Sequence, residues 1–175
     1  YLDDPRNADI LIDINGEHKR RAEAMVSVFD SGFILGDGVW EGIRLHNGTL
    51  AFMDAHMERL WEGATAIDMD LGLTKAELTG RIEAVCAANG MTTDVHIRLM
   101  VTRGIKSTPY QHPRVTISGP TIVIIPEWKS PTPETAVRPL TLFTVHVRRG
   151  AADVQDPKLN SHSKLNCILA CIQAD

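Results

Sequence analysis

Residues 38–52 have the sequence GVWEGIRLHNGTLAF, and this stretch decides how the first half of the chain folds. Two apolar segments flank the dipeptide Asn47-Gly48, and Asn-Gly between apolar runs is the strongest short-range signal for a β-hairpin. The same dipeptide occurs earlier as Asn15-Gly16, directly after the apolar run 10–14. The sequence therefore predicts an antiparallel sheet built from hairpins.

Two helices are predicted after the second hairpin. Asp54 can cap a helix that runs to about residue 67, and Thr74 to Glu77 form a capping box for a second helix. Gly90 is a typical residue for the end of that second helix. The remaining predicted strands cover residues 10–14, 24–29, 95–101, 121–125 and 137–147.

Strands, then two helices, then strands again indicate an α+β fold. We predict a small N-terminal domain at residues 1–119 and the beginning of a larger, β-rich domain at 120–175. Cofactor pockets commonly lie between two such domains. A last helix begins near Ser163 and is still apolar at Ile172, so we expect the chain to be the first part of a longer protein.

Composition argues against several classes of function. A net charge of −4 without a basic face gives no reason to expect a nucleic-acid partner. The sequence has no apolar run of membrane-spanning length and no signal peptide at its start, so no membrane association is expected. Three cysteines are an odd number for a disulfide framework and suit the cytoplasm, and no metal site is expected from Cys167 and Cys171.

Residues 160–170 have the sequence NSHSKLNCILA, in which Lys164 stands at the start of an apolar helix. Burial of a lysine favours its uncharged amine, which can attack a carbonyl carbon. The alternative is a solvated surface charge, as most lysines at helix starts are. Of the six lysines, four lie in a charged hairpin, a capped surface helix or loops, which leaves Lys158 and Lys164 as candidates.

Three motifs together resemble the class IV aminotransferases, pyridoxal-phosphate enzymes of fold type IV. They are GVWEGIR at 38–44, HMERL at 56–60 and the segment 160–170, in the family's order and at about its spacing. The resemblance implies pyridoxal 5'-phosphate in the cleft between two domains. It also implies a homodimer in which the loop 106–113 completes the neighbour's pocket.

The resemblance identifies the family more directly than it identifies the lysine that binds the cofactor. Counting back along the last helix, the family's lysine lands near Asn160, between Lys158 and Lys164. Lys164 takes the place where branched-chain enzymes carry a tyrosine near the same part of the cofactor. We take Lys164 as the first choice for the Schiff base and Lys158 as the second.

Further site residues are implied by the same resemblance. Arg59 matches the arginine that grips the cofactor phosphate, a task that suits its planar, permanently charged fork. The alternative is a surface arginine paired with Glu62 or Asp54 on its own helix. Trp40 would form a wall of the substrate pocket, and Glu41 would pair with Arg44 beneath it.

Three more residues are implied as substrate contacts. Arg98 matches an arginine that helps to receive a second carboxylate in branched-chain enzymes; alternatively it is an outward charge on a strand. Trp128 matches a tryptophan of the same pocket. D-amino acid transaminases hold the substrate carboxylate with Arg-x-His after the strand that ends in Val-Thr-Arg-Gly. That motif is absent here, and Tyr110 or His112 stands in the same loop.

The sequence therefore predicts a pyridoxal-phosphate aminotransferase that moves an amino group from a branched-chain or other apolar amino acid to a 2-oxo acid. A D-amino acid transaminase, an amine transaminase and an aminodeoxychorismate lyase need the same residues and stay open. The contrasting class is a catalytically inactive relative without the cofactor, which the displaced lysine favours.

Overall fold

A computed structural model describes residues 4–130, 139 and 141–175. Six strands are found in this part of the chain, and four α-helices accompany them. The strands are β1 (Leu11–Ile14), β2 (Glu17–Arg20), β3 (Gly38–His46), β4 (Thr49–Leu50), β5 (Val95–Thr102) and β6 (Thr121–Trp128). The helices are α1 (Ser31–Leu35), α2 (Met53–Ala66), α3 (Lys75–Ala88) and α4 (Leu165–Ala174).

The six strands form one antiparallel sheet in the order β2-β1-β6-β5-β3-β4. Alternate residues of β3, β5 and β6 are buried, and α2 and α3 supply the apolar side chains that pack over them. Fully buried members of this core include Ile43, Ile97, Leu99, Leu78 and Ile82. The predicted α+β class is confirmed.

Both predicted hairpin turns are present. Asn15 and Gly16 have φ values of 52° and 91°, and Asn47 and Gly48 have φ values of 47° and 75°. Two consecutive residues with positive φ are the geometry that the right-handed twist of a hairpin favours. Asn and Gly tolerate this region, which is why the dipeptide located both turns correctly.

The two long helices begin in different ways. The predicted capping box of α3 is confirmed: Thr74 Oγ1 accepts from the Glu77 N–H at 3.2 Å, and Glu77 Oε2 accepts from the Thr74 N–H at 2.7 Å. The prediction that Asp54 caps α2 is wrong. Phe52 precedes α2 with a φ of 53° and makes no side-chain cap. Asp54 lies inside the first turn, where its negative charge interacts favourably with the helix dipole.

One predicted strand is absent, and the described part of a second, residues 141–147, also forms no strand. Residues 24–29 form no strand; Met25 and Val28 are exposed there, and the Asp30 N–H closes a turn onto Ser27 that leads into α1. Of the predicted strand 137–147, residues 137, 138 and 140 lie outside the described residues, and 141–147 form no strand. Apolar and β-branched residues favour a strand only where a neighbouring strand can pair with them.

β6 occupies a central place in the sheet, between β1 and β5. The sheet therefore extends past the predicted division at residue 119, while the domain boundary itself stays a prediction. In the described residues, no helix is long and apolar enough to cross a membrane.

The first half of β3 pairs with a distant segment. β4 covers Leu45 and His46 of β3, whereas the edge near Gly38 and Trp40 faces residues 160–162. The Trp40 N–H donates to the Asn160 carbonyl at 2.9 Å, and the His162 N–H donates to the Gly38 carbonyl at 3.0 Å. This short antiparallel pairing fixes the start of α4 against the sheet.

Replacing Gly38 with alanine should destabilise the fold. A Cβ atom there would lie 2.4 Å from the backbone oxygen of Val101 on the neighbouring strand, so one of the two strands must shift. We expect a loss on the order of 1–3 kcal/mol in the free energy of unfolding, measured by urea denaturation.

Gly80 is the matched control, because a Cβ atom at this position of α3 meets nothing within 4 Å. Gly80→Ala should instead raise stability by about 0.5–1 kcal/mol, the usual difference between the two residues in a helix. Equal stability of Gly38→Ala and the unchanged protein would contradict the close strand packing.

Candidate functional site

Trp40 is the centre of the candidate site. Its side chain lies on the sheet face opposite α2 and α3, since it alternates with the core residue Val39. Its indole Nε1–H donates to the Ser161 carbonyl at 3.1 Å, and its own carbonyl accepts from Asn160 Nδ2 at 2.7 Å. With its backbone N–H, three hydrogen-bonding groups of this one tryptophan are used to dock residues 160–162.

Lys164 is brought to Trp40 by this docking. Its Nζ lies 5.0 Å from the centre of the Trp40 ring and donates to Asn160 Oδ1 at 3.3 Å. The side chain is half-buried and immediately precedes α4. Asn160 is where the family's lysine falls by counting, so the amine of Lys164 reaches the side chain that stands at that position.

Lys158 is placed differently. It is exposed in a turn, where its backbone N–H donates to Asp156 Oδ1 at 2.9 Å. None of the ring contacts or side-chain hydrogen bonds found among the described residues involves the Lys158 amine. Of the two candidate lysines, Lys164 is the one that contacts the predicted pocket residue Trp40.

Arg98 also contacts Trp40. The carbon at the centre of its guanidinium lies 4.0 Å from the centre of the Trp40 ring. Arg98 pairs across the sheet with Gly42, two residues from Trp40 on the same face. A half-buried stack of this kind contributes on the order of 0.5–2 kcal/mol and holds the guanidinium over the ring. Arg98 thus contacts Trp40, and its role as a substrate contact stays a prediction.

Arg59 and Glu41 form an ion pair on the other face of β3. Glu41 is fully buried, and its two carboxylate oxygens accept from Arg59 Nε at 2.7 Å and Nη2 at 2.5 Å. His56 Nδ1 lies 2.8 Å from the same carboxylate. The hydrogen bond to Glu41 raises the pKa of Arg59, so its positive charge is secure at any physiological pH.

This ion pair corrects a prediction. The expected pairing of Glu41 with Arg44 is wrong, because Glu41 bonds Arg59 and Arg44 Nη1 instead donates to the Lys129 carbonyl at 2.6 Å. Glu41 lies with Val39 and Ile43 on the helix-covered face, whereas Arg44 projects from the opposite face. Side-chain alternation along a strand thus excludes the predicted pair.

The guanidinium of Arg59 is held on one side and open on the other. Its side chain is 52% exposed although Glu41 is completely buried. Glu41 takes Nε and Nη2, and no described residue accepts from Nη1. A fixed cation with a donor turned away from its partner suits a phosphate, and a half-buried amine suits an aldehyde. By its chemistry, Arg59 therefore fits the phosphate and Lys164 the aldehyde of pyridoxal 5'-phosphate, although the two residues lie on opposite faces of β3.

Two other predicted substrate contacts lie elsewhere in the described structure. Trp128 packs against the core, and the guanidinium carbon of Arg6 lies 5.0 Å from the centre of its ring. It pairs with Val95, five residues along β5 from the partner of Trp40, which corresponds to about 17 Å of strand. Tyr110 is 55% exposed in the loop after β5, where its backbone N–H donates to the Thr108 carbonyl at 2.8 Å.

Sequence reasoning missed two histidines that hold the site together. His56 lies beside Glu41, and its place three residues before Arg59 on one helix was the available signal. His162 contacts the Val39 carbonyl, and nothing in the sequence pointed to that partner. Among the described residues, no group of His, Cys, Asp and Glu side chains is placed to hold a metal ion.

Comparison with known proteins defines the family. The family model described as "Amino-transferase class IV" matches residues 38–175. The chain therefore belongs to the class IV aminotransferases.

Individual relatives agree. The chain is 35% identical over 171 residues to the branched-chain-amino-acid aminotransferase-like protein 1 of Arabidopsis thaliana, covering 98% of this chain and 31% of that protein. It is 38% identical over 166 residues to a putative branched-chain-amino-acid aminotransferase of Methanocaldococcus jannaschii, covering 93% and 54%. The chain thus spans from about a third to about half of these relatives.

A solved structure confirms the fold. A branched-chain amino acid aminotransferase from T.th., complexed with N-(5'-phosphopyridoxyl)-L-glutamate, superposes with a TM-score of 0.79 at 24% identity. The match covers 94% of this chain and 54% of that one. The predicted fold type of the class IV aminotransferases is confirmed.

Replacing Glu41 with glutamine should destabilise the protein while leaving the side chain's shape. The buried carboxylate loses the charge that Arg59 and His56 contact, and hydrogen bonds to charged groups contribute on the order of 1.5–3 kcal/mol each. Urea denaturation should show a loss of that order. Glu62→Gln on the exposed face of α2 is the control, with an expected change within about 0.5 kcal/mol. Equal effects of the two substitutions would argue against a structural role for the ion pair.

Proposed function

We propose that the protein is a pyridoxal-phosphate-dependent aminotransferase that moves an amino group from a branched-chain or other apolar amino acid to a 2-oxo acid. The observation that carries this proposal is the contact of the Lys164 amine with both Trp40 and Asn160. Membership of the class IV aminotransferases supports it. The names of the relatives support the branched-chain preference.

In this proposal, Lys164 and Arg59 hold the cofactor. Lys164 Nζ would bind its aldehyde carbon, and the open side of Arg59 would bind its phosphate. Bound pyridoxal 5'-phosphate supplies an electron sink for the substrate carbon that loses a proton. Lys164 Nζ would also be the group that accepts that proton from the substrate Cα.

Trp40 and Arg98 would bind the substrate. The Trp40 ring supplies an apolar wall that keeps water from the Lys164 amine and receives an aliphatic side chain. Arg98 is held over the same ring at 4.0 Å, with a permanent charge that can pair with a carboxylate. One pocket can then accept either an apolar side chain or the second carboxylate of a dicarboxylic substrate. Tyr110 and Trp128 remain predictions as substrate contacts.

The reach of the Lys164 amine favours an active enzyme over a relative without the cofactor. The displaced lysine was the argument for an inactive protein, because Asn160 stands where the family's lysine falls. Lys164 Nζ lies 3.3 Å from Asn160 Oδ1. The lysine is displaced along the sequence, but its amine still reaches the side chain at the position of the family's lysine. Amine transaminase, D-amino acid transaminase and aminodeoxychorismate lyase activities use the same lysine and are distinguished by substrate.

A homodimer is part of the proposal. Large apolar side chains are exposed before and within α1, among them Met25, Val28 and Phe33, which is 72% exposed. Exposed apolar patches of this kind mark protein interfaces. The cytoplasmic location stays a prediction from the cysteine content.

Borohydride reduction of the protein with bound pyridoxal 5'-phosphate should fix the cofactor to Lys164. Peptide mapping by mass spectrometry identifies the modified residue, and the expected product is a pyridoxyl group on the peptide that contains Lys164. The physical reason is that Lys164 is the candidate lysine held beside Trp40, while Lys158 is exposed in a turn.

Two variants make this test specific. Lys164→Met should abolish trapping, whereas Lys158→Met should leave it unchanged. A pyridoxyl group on Lys158, with Lys164 unmodified, would overturn the assignment of the lysine. A protein that binds no cofactor at all would support the inactive alternative.

Replacing Arg98 with glutamine should affect the two halves of the reaction unequally. The charge of Arg98 pairs with a group that a dicarboxylic 2-oxo acid has and a leucine-like substrate lacks, so its contribution is differential. Loss of one charge-assisted contact corresponds to roughly a tenfold or greater fall in kcat/KM for the 2-oxoglutarate half-reaction. Stopped-flow measurement of each half-reaction tests this.

Arg44 supplies the control, because it projects from the same face of the sheet but bonds the Lys129 carbonyl. Arg44→Gln should change both half-reactions by the same small factor. If Arg98→Gln slows both half-reactions equally, or slows neither, the result would support the alternative that Arg98 is an outward charge on the strand.

A further inference from the structure

His162 lies in the middle of the segment that docks on β3. Its backbone N–H donates to the Gly38 carbonyl at 3.0 Å, and its Nε2 lies 3.0 Å from the Val39 carbonyl oxygen. Backbone and side chain of one residue thus bond two consecutive carbonyl groups of β3. The side chain is half-buried, although the residues that follow it in α4 are mostly exposed.

Two glycines make the room that the imidazole occupies. A Cβ atom on Gly38 would lie 3.0 Å from His162 Cε1, and a Cβ atom on Gly32 would lie 3.1 Å from His162 Nδ1. Both distances are tighter than ordinary van der Waals contact. The ring therefore fits a socket that exists because α1 and β3 each carry a glycine where they meet it.

Burial favours the neutral form of the ring in this socket. Burial lowers the pKa of His162, and the charge of Arg98 acts in the same direction; the hydrogen bond to Val39 and the charges of Asp30 and Asp37 oppose this. A neutral imidazole has one ring proton, and the contact with a carbonyl oxygen requires that proton on Nε2. Nδ1 is then an acceptor that faces the two glycines.

We propose that His162 is a positioning residue that latches residues 160–162 onto β3 and thereby sets the place of the Lys164 amine. Lys164 follows His162 by two residues, and its contact with Trp40 depends on the same docking. We call this docking of residues 160–162 by His162 the latch. Its effect on catalysis rests on the proposed function of Lys164, but the latch does not depend on that function.

The sign of the expected pH dependence follows from the neutral ring. A histidine whose pKa is lower in the folded protein binds its proton more readily when the protein is unfolded or the latch is open. The latch is therefore intact above the ordinary histidine pKa of about 6.5 and weakens as the pH falls through the lower pKa of the docked ring.

Amide hydrogen exchange of the Trp40 N–H measures the latch without any cofactor, since this group donates to the Asn160 carbonyl. His162→Leu removes the ring donor and should speed exchange at Trp40 roughly tenfold at pH 7.5, after correction for the intrinsic rate. His162→Gln restores a donor at the position of Nε2 and should stay within about threefold of the unchanged protein.

His46→Gln is the matched control, because His46 is a 63% exposed histidine at the other end of β3. It should leave exchange at Trp40 unchanged. Lowering the pH from 7.5 to 5 should loosen the latch in the unchanged protein and in His46→Gln, but not in His162→Gln, which has no titrating ring.

A second readout separates the latch from the proposed reaction. In His162→Leu, the share of pyridoxal 5'-phosphate that borohydride fixes on Lys164 should fall, and His162→Gln should restore it. If the cofactor is fixed on Lys158 in the unchanged protein, the proposed lysine is wrong while the exchange result still decides the latch. Unchanged exchange at Trp40 in His162→Leu would overturn the latch. An equal pH dependence in His162→Gln would overturn the assignment of that pH dependence to His162.

Discussion

The pairing of residues 160–162 with the outer edge of β3 is the interaction on which the candidate site depends. β4 covers the last two residues of β3, so the backbone groups near Trp40 need another partner. Asn160 and His162 provide it, and the pairing spans 120 or more residues of sequence. Because Lys164 follows His162 by two residues, this pairing decides whether its amine meets Trp40.

Residues of the candidate site project from both faces of β3. Trp40 and Glu41 are consecutive, so one side chain lies with Lys164 and Arg98 while the other lies with Arg59 beneath α2. The buried Glu41 accepts hydrogen bonds from two nitrogens of the half-exposed Arg59, which sets the orientation of the guanidinium. The two cationic groups that we propose as cofactor contacts, Lys164 and Arg59, are in this way positioned by neighbouring residues of a single strand.

Patterns among residues close in sequence predicted much of the fold. They did not predict which residues contact one another within the candidate site. The Asn-Gly turns and the Thr74–Glu77 capping box were correct because each depends on residues next to one another. The bond of Glu41 to Arg59 depends on which face of β3 meets α2, and a strand shows its alternation but not which side is covered. His162 reaches Val39 across 123 residues, so no spacing rule could find it.

A crystal structure of the protein with bound pyridoxal 5'-phosphate tests the central claim most directly. The account predicts continuous density from Lys164 Nζ to the aldehyde carbon, residues 160–162 still paired with β3, and the phosphate within hydrogen-bonding distance of Arg59. Density that joins the cofactor to Lys158, or a phosphate bound away from Arg59 while Arg59 stays paired with Glu41, would contradict it.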